Sequence, residues 1–192
     1  MQATVVPAKS RFGVHTSEYA LDPVSCTPTR LAANSSAGHN GDMSASYINI
    51  LVMAHRGSGG GPGMVWVWGQ VSRGRRAQTA VMSNLALAMP PASVCMRRAS
   101  ASQLLGAGAA DDPTADIARR LSSRFKQPIY LSLSNVSTSR LTAPAAGPSA
   151  SLALSMSQAD ELGALEACLV AELTQALALQ QAGNPKTAPA AA

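Results

Sequence analysis

The stretch DDPTADIARRLSSRFKQPIYLSLS, residues 111–134, decides how this chain folds. Asp112 stands where a helix N-cap belongs, because a carboxylate there accepts a bond from an orphan backbone N–H. Pro113 suits the first helical position, where its missing N–H costs nothing. Ile117, Leu121 and Phe125 recur every fourth residue and lay one apolar stripe along a helix over 113–125. Arg119, Arg120 and Arg124 fall off that stripe and can stay hydrated. The last two lie near the C-terminal end, where the helix dipole favours cations. Pro128 forbids continuation. The apolar period then drops to two, and Ile129, Leu131 and Leu133 share one face of a strand over 128–136.

Working outward, the upstream sequence reads as strands. FGVHTSEYAL at 12–21 and YINILVMA at 47–54 are two, the second with Ile48, Ile50 and Val52 on one face. In MVWVWGQV at 64–71, Val65, Val67 and Gly69 face one way and Trp66 and Trp68 the other. The tract RGSGGGPG at 56–63 can join those last two as a hairpin with a long loop. SNLALAMP at 83–90 is strand-like and ends at Pro90 and Pro91, while ASQLLG at 101–106 is short and fits strand or helix. Downstream, SLALSM at 151–156 reads as a last strand. Ser157 then caps a long helix, with Asp160 completing a capping box, and Leu162, Leu165, Leu169, Leu173 and Leu177 form its stripe. Gly183 and Pro185 stop it.

The order β β β β α β β α with hairpin-length links predicts an α+β fold: a mostly antiparallel, sandwich-like sheet with two packed helices. The expected organisation is a flexible N-terminus over 1–10 and one domain over 11–182. Disordered inserts are expected at about 22–46, 56–63 and 137–149, and a flexible tail over 183–192.

Composition limits the function classes. A chain of 192 residues suits one domain and can bury a core without disulfides. Charged residues make up 13%, about half the usual ~25%. Fifteen basic against ten acidic residues leave a net charge of +5, without the clustered density of a dedicated nucleic-acid binder. Cys26, Cys95 and Cys168 are odd in number and widely spaced, which speaks for a reducing compartment rather than a disulfide framework. No uninterrupted apolar run approaches the ~20 residues of a membrane span. The N-terminus lacks the pattern of a secretory signal, though residues 1–40 are Ser-, Ala- and Thr-rich with few acids, as transit segments are.

No catalytic constellation emerges. His15, His39 and His55 occur in unrelated contexts without metal-ligand spacing, and Cys95 reads as a small apolar thiol. Asp111–Asp112 and Asp160–Glu161 sit at helix starts, where acids cap. The glycine tract precedes a strand, and Met64 stands where a phosphate loop needs its Lys. Trp66 and Trp68 beside Arg73 could stack single-stranded nucleic acid, the alternative function; a core or a protein interface uses the same residues more often. Arg97-Arg98-Ala99-Ser100 has the form of a site for an arginine-directed kinase.

The pieces in order resemble the proteasome assembly chaperone 4 family. The carriers are MVWVWGQ, the strand Asn84-Leu85-Ala86-Leu87-Ala88-Met89, the piece Leu104-Leu105-Gly106, the helix residues Ile117, Ala118, Arg120 and Leu121, and the turn and strand from Lys126 to Leu131. The likeness covers roughly 10–20 and 47–180 and is strongest over 64–134. Pro90 and Pro91 depart from the family's polar residues, and the inserts are longer than it needs. The resemblance implies a non-enzymatic chaperone of β-sandwich form, without cofactor or metal. It would pair with assembly chaperone 3 as a heterodimer, hold proteasome α-subunits during α-ring formation, and leave as β-subunits join. It implies the cytoplasm, with the nucleus as a second compartment, and no membrane or nucleic-acid partner. Ala190, Ala191 and Ala192 lack the hydrophobic-Tyr-x ending of the other chaperone pair. Trp66, Trp68, Arg119, Arg120 and Arg124 are the candidate partner-interface residues.

Overall fold

The computed structural model of the protein describes residues 12–32, 46–55, 63–73, 82, 84–91, 99–106, 112–134 and 148–182. Residues 1–10, most of the glycine tract, residues 137–147, the tail 183–192, His39, Cys95, Arg75, Arg76, Arg97 and Arg98 lie outside them. In chain order the elements are β1 (Phe12–Leu21), β2 (Pro28–Arg30), β3 (Ser46–His55), β4 (Met64–Arg73), β5 (Leu85–Met89), β6 (Ser100–Leu105), α1 (Thr114–Phe125), β7 (Ile129–Ser134) and α2 (Pro148–Ala182). The strands form one seven-stranded sheet in the order β2-β1-β3-β4-β7-β5-β6. Every pairing is antiparallel except β4 with β7, which is parallel. The α+β class with a mostly antiparallel sheet and two packed helices holds. Within this chain the described strands make one open layer rather than two stacked ones.

Strand alternation sorts the sheet into two unlike faces. Ile48, Ile50 and Val52 of β3 align with Val71, Gly69 and Val67 of β4, and Val65, Val67 and Gly69 align with Ile129, Leu131 and Leu133 of β7. Ile48, Ile50, Val52, Val65, Val67, Ile129, Leu131 and Leu133 are all buried, and both helices lie over them. The long helix α2 covers β1, β3 and β4, and α1 covers β5, β6 and β7. Leu165, Leu169 and Leu173 of α2 are buried, as the stripe predicted. A Cβ at Gly69 would come within 3.1 Å of Leu133 Cδ2 and 3.5 Å of Leu165 Cδ1. The missing side chain there lets α2 settle onto β4.

The decisive stretch behaves as its sequence predicts. The Asp112 carboxylate accepts the Thr114 backbone N–H at 2.9 Å and the Thr114 hydroxyl at 2.6 Å. Pro113 already has helical angles, φ −74° and ψ −9°. Ile117 and Leu121 are buried and Phe125 packs against the core. Lys126 ends the helix in the left-handed region at φ 56°, its N–H returned to the Ser122 carbonyl at 2.9 Å. The next strand follows within three residues.

Three expectations fail. Residues 151–156 are helical, part of an α2 that starts at Pro148, so Ser157 and Asp160 lie inside the helix rather than at its start. Six residues of Ser, Leu, Ala and Met cannot separate a strand from a helix by period alone. No breaker separates them from the leucine stripe, so helix continues through. The insert expected at 22–46 contains a turn and β2, and 137–149 runs into the first turn of α2. Asp22 organises that turn, its carboxylate accepting the Val24 and Ser25 backbone N–H groups at 2.9 and 2.7 Å. Ala159–Gln180 of α2 is long and apolar enough by composition to span a membrane, although no unbroken apolar run of that length occurs in it. In this fold Leu165, Leu169 and Leu173 of that segment are buried against the sheet.

Replacing Leu121 by Ala should remove about 2–5 kcal/mol of stability, since it opens a cavity between α1 and the sheet. A variant that melts like the parent contradicts this placement of the helix.

Candidate functional site

The face opposite the helices carries the tryptophans. By register, Val14 aligns with Met53, Met53 with Trp66, Trp66 with Tyr130, and Tyr130 with Leu87, so one apolar row crosses five strands. The Trp66 and Tyr130 rings stack with centroids 5.4 Å apart and planes 10° apart. Trp68 donates its indole N–H to the Ser134 hydroxyl at 3.2 Å. It aligns with Ser132, and Ser132 and Ser134 are both buried. The small serines of β7 give the larger ring room to lie across the strand. The indoles are therefore fixed in orientation and only half-buried. Toward the rims the face becomes more open: Val14 is 61% exposed, Met89 45% and Leu104 48%. Neither described helix lies on it, and its described positions carry no Lys or Arg.

The second candidate group, the arginines of α1, is less free than the sequence suggests. Arg119 pairs with Asp116 one turn earlier at 2.7 Å. Arg120 meets Glu166 of α2 side-on, with contacts of 2.8 and 2.6 Å. That ion pair seams the two helices together, so Arg120 is a structural contact and not simply a solvated charge. Arg124 lies over the Phe125 ring at 6.0 Å. Arg119, Arg120, Ser123 and Arg124 border a shallow recess of about 420 Å³. The structure groups the three arginines on one surface and places both tryptophans on another, the far side of the sheet. Arg73 ends β4, with its side chain outside the described part.

A third cluster was not legible in the sequence. Glu172 of α2 is buried at 2% exposure and accepts the Tyr19 hydroxyl at 2.5 Å. Arg30 of β2 approaches it at 3.2 Å and also donates to Gln175 at 2.9 Å. A buried carboxylate needs such partners. Here they tie the short edge strand β2 and its neighbour β1 to the helix. Burial and the bond to Glu172 raise the Tyr19 phenol well above its ordinary 10.0. Burial, then the charge of Glu172, pushes the Cys168 thiol up to about 11 from 9.0. A thiol held protonated in this way is a poor nucleophile. Among the described residues, no group of His, Cys, Asp and Glu is arranged to hold a metal.

The family-model comparison agrees with the sequence likeness. The family model described as proteasome assembly chaperone 4 matches residues 50–134, from within β3 to the end of β7. That block holds Leu51, Met53, both tryptophans, Tyr130 and the whole of α1. No curated protein sequence matches the chain. Among solved structures, a chain of the crystal structure of a chaperone complex for yeast 20S proteasome assembly aligns with 84% of this chain and 96% of its own length. The identity is 15% and the TM-score 0.44.

Two measurements check these clusters. Both raised groups favour folding in their protonated forms. Their contribution is complete below about pH 9, the ordinary thiol value, and is lost as pH rises through about 11 for Cys168 and higher for Tyr19. Tyr19→Phe should cost about 1–3 kcal/mol at pH 7 and flatten the fall in stability above about pH 10; an unchanged alkaline slope in denaturant melts contradicts the clasp. Arg120→Glu should lose up to about 1 kcal/mol, recovered when Glu166→Arg is added. Additive losses in that double-mutant cycle would show that the seam contributes nothing.

Proposed function

We propose that this chain is a proteasome assembly chaperone that pairs with assembly chaperone 3 and helps to hold α-subunits while the α-ring forms. The observation that carries the reading is the half-buried aromatic face, which lies within the block matched by the chaperone family. A sheet with two helices on one side and an apolar row on the other needs a cover. Fixed aromatic side chains make good anchors, because little conformational entropy is lost on binding. The face carries no described Lys or Arg, which favours an apolar protein surface over single-stranded nucleic acid, whose backbone needs cations alongside the rings.

In this reading the heterodimer forms through Trp66, Trp68 and Tyr130, and the arginines of α1 remain outward. Arg124, and Arg119 beside it, would then meet acidic α-subunit surfaces, aided by the net charge of +5. The chaperone acts by binding one arrangement of subunits better than its competitors, so it shifts assembly without any chemical step. The cytoplasm and the nucleus, where proteasomes assemble, are the proposed compartments.

Trp66→Ala should weaken binding to purified assembly chaperone 3 by at least ~30-fold, the loss of a hot-spot residue worth about 2 kcal/mol. Arg119→Ala, on the opposite side of the sheet, should leave that affinity within about twofold. Calorimetric titrations in which Trp66→Ala binds like the parent would remove the tryptophan face from the interface.

A further inference from the structure

We infer that Ser100 is a phosphate acceptor for an arginine-directed protein kinase, and that the phosphate opposes docking at the tryptophan face. The second half rests on the docking reading above; the first does not. Ser100 is exposed and opens β6, which ends the sheet and, among the described strands, pairs with β5 alone. The end of an edge strand opens at less cost than a central strand, so it can be drawn into a kinase groove as extended chain. In the sequence, Arg97 and Arg98 stand three and two residues before the hydroxyl. Two guanidiniums at that spacing suit a groove lined with carboxylates, through charge-assisted bonds. No Asp or Glu occurs between 92 and 110 to oppose such a groove.

The transfer is balanced by ATP as co-reactant. The Ser100 Oγ attacks the γ-phosphorus, a new O–P bond forms, and the bond from that phosphorus to the bridging oxygen breaks. ADP leaves, and the hydroxyl proton passes to the kinase's catalytic carboxylate.

Register gives the phosphate its effect. Ser100 aligns with Met89, and Ser102 two residues on aligns with Leu87, which aligns with Tyr130. Ser100 therefore shares the face of Trp66 and Tyr130, at its β6 rim. Two strand spacings separate β6 from β7, about 10 Å. A phosphoserine there carries roughly −1.5 to −2 charge at neutral pH, and an apolar partner must desolvate it on docking.

The full chain should be incubated with ATP and the purified catalytic subunit of an arginine-directed kinase, and the phosphate placed by peptide mass. The expected result is one phosphate on Ser100, absent from Ser100→Ala and from the Arg97→Ala/Arg98→Ala double variant, and retained in Ser102→Ala. The phosphorylated chain should then bind assembly chaperone 3 at least about tenfold more weakly than the unmodified chain. No incorporation, or incorporation elsewhere, overturns the acceptor site. Phosphate on Ser100 with unchanged affinity overturns its effect on docking. If the unmodified chain does not bind assembly chaperone 3 at all, the docking reading fails, and with it the effect on docking; the mapped phosphate alone then decides the acceptor site.

Discussion

The fold depends on covering one side of the sheet at its centre. Val65, Val67, Ile129, Leu131 and Leu133 point to the same side of β4 and β7, and Leu165 and Leu169 of α2 press down where Gly69 leaves space. Burying a leucine side chain is worth roughly 1.5–3 kcal/mol, so this layer outweighs any polar contact in the molecule. Its second consequence is geometric. With a period of two, a residue that supports the helices places its neighbour on the other face. Trp66 and Trp68 are held where they are by the burial of Val65 and Val67.

The two helices divide the work. Helix α1 takes the β5–β7 half of the sheet and α2 the β1–β4 half, and the Arg120–Glu166 pair closes the seam. Such a half-exposed pair adds little stability. Its value lies in fixing the helices relative to one another. The Glu172 cluster does the same for the β2 edge, where a strand of three residues has few ladder bonds of its own. Both contacts act on the helix side and leave the opposite face untouched.

What could be read from the sequence were features with a local cause. The cap at Asp112, the stop at Pro128, the alternation in β3, β4 and β7 and the leucine stripe of α2 each show within a dozen residues. The split of Val65 and Val67 from Trp66 and Trp68 came directly from the strand period. Two kinds of feature stayed hidden. Segments too short to show a period, β2 and residues 151–156, give no signal that separates loop, strand and helix. Side-chain partners far apart in the chain were the other kind. Arg120 and Glu166 are 46 residues apart, and Tyr19 and Glu172 are 153 apart. Sequence marked Arg120 as a cation off the apolar stripe, but only the packing of α1 beside α2 assigns it a partner. The same holds for Trp66 and Tyr130, whose stacking needs the parallel pairing of β4 with β7.

The structural logic joins the fold to the proposed role. One face is covered by helices, and the other presents rigid aromatic rings beside exposed Val14, Met89 and Leu104, with no Lys or Arg among its described positions. Hydroxyl-radical footprinting of the full chain with and without assembly chaperone 3 tests that division most directly. Oxidation of Trp66, Trp68, Met53, Met64 and Met89 should fall when the partner is present, while Phe125 and Leu179 on the helix side react as before. Protection of the helix side, with the tryptophans and methionines reacting unchanged, would contradict the account.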